Sequence, residues 1–106
     1  MPKYLVQANY LGEGLKGLIK EGGSSRRAAV EKLFGSLGGT LEAFYYAFGD
    51  TDLFVIGNVP DNISAAALSL FVNAAGAATS RITVLLTPEE IDAAAKKTPS
   101  YRPPGK

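Results

Sequence analysis

Two carboxylates near a sheet corner are the first place to look for chemistry in this chain. Asp50 and Asp52 stand two residues apart, and alternate residues of a strand point to the same side. Such a pair suits a hard cation or a shared proton. A commoner use of the same residues is a turn position for Asp50 and a strand start for Asp52. Asp52 then needs a donor, either a backbone amide or a basic side chain such as Lys16 or Arg81. A second group is Asn9, Tyr10 and Lys16, where a first strand gives way to a helix. Lys16 and Arg26, with the helix-start amides at Ser24-Ser25, would suit an anion, although a solvated helix start is the plainer alternative. Third come Tyr45, Tyr46, Asn58 and Thr83, polar groups on strands. Such groups can orient a small ligand in a pocket between sheet and helices, and they can equally be satisfied core groups. The candidate ligand-binding residues are thus Asn9, Lys16, Tyr46, Asp52 and Asn58, with no catalytic residue assigned.

Composition narrows the chemistry. The chain has 106 residues, enough for one domain with its own core. It contains no histidine and no cysteine. That removes the usual general base near neutral pH, thiol chemistry and the preferred ligands of transition metals. No metal site and no cofactor are expected. Net charge is +1, and the basic residues form only the doublets Arg26-Arg27 and Lys96-Lys97, so no nucleic-acid footprint is expected. No run approaches the roughly 20 apolar residues of a membrane span. MPKYLVQANY reads as a strand rather than a cleavable signal, and a soluble, cytoplasmic protein is expected. There is no P-loop, dinucleotide-binding glycine pattern or nucleophile elbow.

The elements that must position these residues follow from pattern. Lys3 to Tyr10 is a first strand. Leu15, Leu18 and Ile19 form one apolar helical turn that ends at Glu21-Gly22-Gly23. Ser24 or Ser25 then caps a longer helix with the stripe Ala29, Val30, Leu33, Phe34 and Leu37, stopped by Gly38-Gly39. Strands at about 41–48 and 51–59 form a hairpin about Gly49-Asp50, and Pro60 ends the second. Asp61 caps a helix of about 63–75, in which Ala66, Leu70, Phe71 and Val72 are expected to be mostly buried and Gly76 is the stop. Arg81 to Leu86 is the last strand. Thr87-Pro88-Glu89-Glu90 is a capping box with proline at the first helical position, opening a helix to about Lys97. Residues 98–106, with three prolines in nine, form a tail outside the 1–97 domain. This order predicts an α+β fold: a ferredoxin-like βαββαβ sandwich with a four-stranded antiparallel sheet, helices on one face, and a short C-terminal helix.

With Gly49-Asp50 as the turn, Phe48 faces Thr51, Tyr46 faces Leu53 and Phe44 faces Val55 on one side of the sheet. Ala47 faces Asp52, Tyr45 faces Phe54 and Ala43 faces Ile56 on the other. Both faces therefore carry aromatics, and helices cover only one. A homodimer or larger ring packed through the second face is expected, with the C-terminal helix and tail folding over it as the alternative cover.

The hairpin also carries a family resemblance. FGDTDLFVI, from Phe48 to Ile56, resembles the signature of the GYD domain family, a glycine followed by a Tyr-Asp pair that opens an apolar strand. Gly49 matches the glycine and Asp52 the aspartate, while Thr51 stands where the tyrosine would be. Gly14-Leu15-Lys16, Ser24-Ser25-Arg26-Arg27, Leu37-Gly38-Gly39 and Pro60-Asp61 resemble the family's turn and helix boundaries, over about residues 3–91. The resemblance implies small, mostly bacterial proteins with a dimeric α+β-barrel-like or ferredoxin-like fold, and it implies no reaction. The expected function is a homo-oligomeric binding or assembly module with a pocket for a small metabolite. The alternative is a cofactor-free enzyme similar to the dimeric α+β-barrel monooxygenases and cyclases, in which Tyr46, Asn58 or Asp52 would handle a proton.

Overall fold

Strict alternation of side chains organises the sheet. In β1 (Lys3–Tyr10), Tyr4, Val6 and Ala8 are buried while Leu5, Gln7 and Asn9 between them are only partly covered. The computed structural model describes residues 1–47 and 49–106. After β1 come α1 (Gly12–Glu21), α2 (Gly23–Ser36), β2 (Thr40–Tyr46), β3 (Leu53–Asn58), α3 (Asn62–Ala75), β4 (Ala78–Leu85) and α4 (Pro88–Ala95). The four strands form one antiparallel sheet in the order β2-β3-β1-β4. This is the α+β, ferredoxin-like arrangement that the element order predicts, with the first and third strands central.

The hairpin register is the expected one. Ala43 pairs with Ile56, Phe44 with Val55, Tyr45 with Phe54 and Tyr46 with Leu53. The Ala47 amide donates to the Asp52 carbonyl at 2.9 Å. Phe48, expected opposite Thr51, lies outside the described residues. Leu53 and Val55 are buried under the helices, which places Phe44 and Tyr46 on the covered face. Tyr45, Phe54 and Ile56 therefore lie on the open one, where Tyr45 is 71% exposed. An irregularity between Leu41 and Ala43 bulges the edge strand.

The core is the layer between this sheet and α2 and α3. Phe34 of α2 and Leu68 of α3 meet Tyr4, Val6, Val55 and Val59 there. The ring of Phe34 lies directly over Gly57 of β3, so close that a Cβ at this position would stand 2.8 Å from Phe34 Cζ.

Several boundaries depart from expectation. Neither Ser24 nor Ser25 caps α2: its N-cap is Gly22, at φ 93 and with no side-chain cap. The chain turns from α1 into α2 within that one residue, and the required left-handed conformation favours glycine. At the other end Gly38, at φ 79, follows α2 as expected. In α3 the expected burial is corrected. Ala66 is exposed, Leu70 is 68% and Phe71 75% exposed, and Val72 is half-buried. The inward stripe is Ala65, Leu68 and Val72, spaced as one helical face. Asp61 does cap α3, accepting from the Ser64 amide at 2.8 Å, and Gly76 ends it at φ 81.

β4 begins at Ala78 rather than Arg81 and pairs with β1 along its full length. The Thr87 capping box forms in both directions. However, α4 has no buried residue, and every residue from Leu86 to Lys106 is exposed. The C-terminal helix and tail therefore do not cover the open face of the sheet.

Candidate functional site

A cavity lies between the sheet and the two core helices, and its cause is a gradient in side-chain size. On the covered face, β1 runs Tyr4, Val6, Ala8, and β4 opposite it runs Val84, Ile82, Ser80, Ala78. Large side chains fill the layer at one end. At the other, Ala8, Ser80 and Ala78 are too small to do so, and a space of about 90 Å³ is left among them. Phe34, Leu68 and Val72 close it from the helix side. Arg26 reaches it from the first turns of α2, because Arg26, Val30 and Phe34 share one helical stripe.

Two tyrosines stand at this end of the layer. Tyr10 ends β1 on the covered face and lines the cavity. Tyr46 ends β2, stacks edge-on against Phe44 at 5.2 Å and donates its hydroxyl to the Gly23 carbonyl at 3.0 Å. Burial, together with the neighbouring Tyr10, raises the Tyr46 pKa above the usual tyrosine value. Near neutral pH its hydroxyl is accordingly a donor. Outside the pair, Tyr10, Tyr46, Leu15, Leu18 and Asp52 line an open cleft of about 390 Å³. Tyr10 borders both spaces.

The structure brings some of the sequence-predicted residues together and separates others. Tyr46 and Asp52 both line the cleft. The donor to Asp52 is a backbone amide, that of Tyr10, which reaches Oδ2 at 2.9 Å. Lys16 instead lies 3.5 Å from Glu13, and Arg81 donates to the Thr51 hydroxyl at 3.4 Å, so neither basic candidate is the observed donor. Asn9 accepts from the Asp52 amide at 2.9 Å and so supports the strand start from behind. Asn58 sits at the far end of β3 on the open face, opposite Lys3, and its amide lies 3.5 Å from the Thr40 hydroxyl. Tyr45 and Thr83 are likewise on the open face. Asp50 is exposed. Among the described residues no three His, Cys, Asp or Glu side chains gather as a metal site would require.

Arg26 was visible in the sequence only as part of an anion-receiving group with Lys16. The structure keeps Arg26 at the cavity and places Lys16 on the exposed side of α1. The cavity-lining Leu68, Val72, Ala78 and Ser80 carried no signal of their own, since small and aliphatic residues on these elements read simply as core.

A four-stranded antiparallel sheet in this order, with helices packed on one face, defines the chain as a ferredoxin-like α+β sandwich. Its covered face holds a small, partly open apolar cavity. The GYD domain profile matches residues 4–95, and the chain belongs to that family. No curated protein matches the chain. Among the described residues no helix is long and apolar enough to cross a membrane.

Proposed function

We propose that this GYD domain protein is a cytoplasmic, homo-oligomeric binding module that holds a small metabolite between its sheet and its helices. The observation that carries this is the cavity at the Ala8–Ser80–Ala78 end of the layer, bordered by Tyr10 and Arg26. Apolar walls with a few convergent polar groups are the usual make-up of a small-molecule site. Self-association is supported by the open face, where the cross-strand pair Tyr45 and Phe54 is exposed beside Ile56. A second copy of the chain, packed face to face, would remove these aromatics from water.

The alternative, a cofactor-free enzyme, draws on Tyr46 and Asp52 lining one cleft. Binding is favoured over it because the Tyr46 pKa is raised, which suits a donor rather than a base. The Asp52 carboxylate is also engaged by the Tyr10 amide. Sedimentation at micromolar concentration tests the assembly: a dimer or larger is expected, and Phe54→Lys should shift it toward monomer. A strictly monomeric mass for the wild type would refute the packing argument. Native mass spectrometry of freshly purified protein tests for a retained ligand.

A further inference from the structure

We infer that the ligand of this cavity is a short, branched aliphatic carboxylate, its acid held by Arg26 and its hydrocarbon body seated against Phe34, Leu68 and Val72; this rests on the cavity being a binding site. Sign of charge comes first. Among the described residues lining the cavity, Arg26 is the one charged side chain. A cation entering there would meet a guanidinium, and no acid among the described residues lines the space itself. An anion would meet a donor whose planar fork matches a carboxylate.

Arg26 is available for that role. Its nearest acid is Glu21, with Nη1 to Oε2 at 3.8 Å, well beyond a charge-assisted hydrogen bond. Glu21 has another partner, since the Ser25 hydroxyl donates to its Oε1 at 2.9 Å. The guanidinium therefore keeps donors to offer. Tyr10 and Ser80 also line the space, the Ser80 hydroxyl donating to Asn73 Oδ1 at 3.4 Å. The guanidinium fork by itself suits the two oxygens of a carboxylate. A phosphate group has more oxygens, and the largely aliphatic walls give it no further partners.

Volume then limits the body. The space is about 90 Å³, smaller than the roughly 150 Å³ cavity known to admit a benzene ring. A branched body of about four carbons is the size that such a space admits while still burying apolar surface.

The test is a titration of the protein with isovalerate and, separately, with its neutral isostere isovaleramide, followed by amide and methyl NMR. The expected result is saturable shifts at Val30, Leu68 and Val72 with isovalerate, and binding of the amide weaker by about tenfold or more. Arg26→Gln should abolish that preference, whereas Lys32→Gln, on the exposed side of α2, should leave it intact. Unchanged far-UV circular dichroism of Arg26→Gln excludes a folding defect. Equal binding of acid and amide to wild type would overturn the carboxylate assignment and leave the binding cavity standing. No shift at these residues with either compound up to about 50 mM would overturn both.

Discussion

A single methyl group placed at Gly57 tests whether the helix layer is seated on the sheet as described. An alanine Cβ there would stand 2.8 Å from Phe34 Cζ and 2.9 Å from Cδ1, with Cε1 closer still, against 3.4–4 Å for ordinary contact. The ring must retreat by roughly 1 Å to restore normal packing. It has little room to do so: Phe34 is 2% exposed and its core neighbour Val59 1%. Overpacking of this kind costs about 1–3 kcal/mol. Replacing glycine inside a strand offsets about 0.5–1 kcal/mol of that by relieving backbone entropy. Gly57→Ala should therefore destabilise the fold by about 1–2 kcal/mol, which for a domain of this size lowers Tm by about 5–15 °C. Urea unfolding followed by circular dichroism reads it as a lower midpoint at unchanged slope. Phe34→Leu should be better tolerated in the Gly57→Ala background than in the wild type, with a coupling of about 1 kcal/mol. A neutral or stabilising Gly57→Ala, or strictly additive double-mutant energies, would show that Phe34 does not rest on Gly57.

Asp52→Asn keeps an acceptor for the Tyr10 amide and should barely move the melting temperature, whereas Asp52→Leu leaves that amide unpaired and should cost about 1–3 kcal/mol; equal melting of the two variants would contradict the bond's role. Tyr46→Phe removes the hydroxyl that donates to Gly23 and should cost about 0.5–1.5 kcal/mol in urea titration at neutral pH. Because the folded-state pKa of Tyr46 is raised, the stability linked to its proton is complete below the usual value of 10.0 and is lost as pH rises through the folded value. The gap between wild type and Tyr46→Phe should thus narrow above about pH 10, and a gap that stays constant would be evidence against a hydroxyl that holds its proton more tightly in the fold. Asp61 behaves in the opposite sense: its pKa is lowered by the Ser64 amide, so its contribution is present above 3.8 and disappears as pH falls through the folded value. Asp61→Ala should melt below wild type at neutral pH and converge with it in acid, and identical melting at neutral pH would show the cap to be inert.

The β2–β3 register was legible because a two-residue turn and a period of two leave one way to pair the strands, and Tyr45 opposite Phe54 is its direct result. The Thr87 capping box was legible for a similar reason, since its whole code lies within four residues. The face of α3 was not. Ala66, Leu70, Phe71 and Val72 are all apolar, so the sequence offers no contrast by which to choose between Leu68 and Leu70 as the inward residue. Only packing against β4 and the sheet decides it. Serine at a helix start is a strong local cap signal, and at α2 a glycine linking two consecutive helices overrides it. At the candidate site, the sequence suggested that Asp52 needs a donor but could not identify a backbone amide 42 residues away as that donor. The cavity was invisible for a deeper reason: it arises from residues that are small, on strands adjacent only in space, and an Ala8 opposite a Ser80 looks unremarkable until the two are paired.

α4 has every local signal a helix needs, with the Thr87 box and Pro88 at its start, and no burial to reinforce them. Isolated helices shorter than about 12 residues are marginal in water. In a single protomer the chain therefore carries two kinds of order that do not share their free energy. The body should unfold as one cooperative unit, while the α4 segment should gain and lose its turns gradually with temperature. Backbone amides beyond Leu86 should exchange with solvent independently of the body, and a thermal scan should acquire a sloping baseline before the main transition. Substitutions there should leave the global unfolding free energy unmoved. The junction after β4 is consequently the place where a second domain, a dye or a surface anchor can be joined to this sheet without disturbing it.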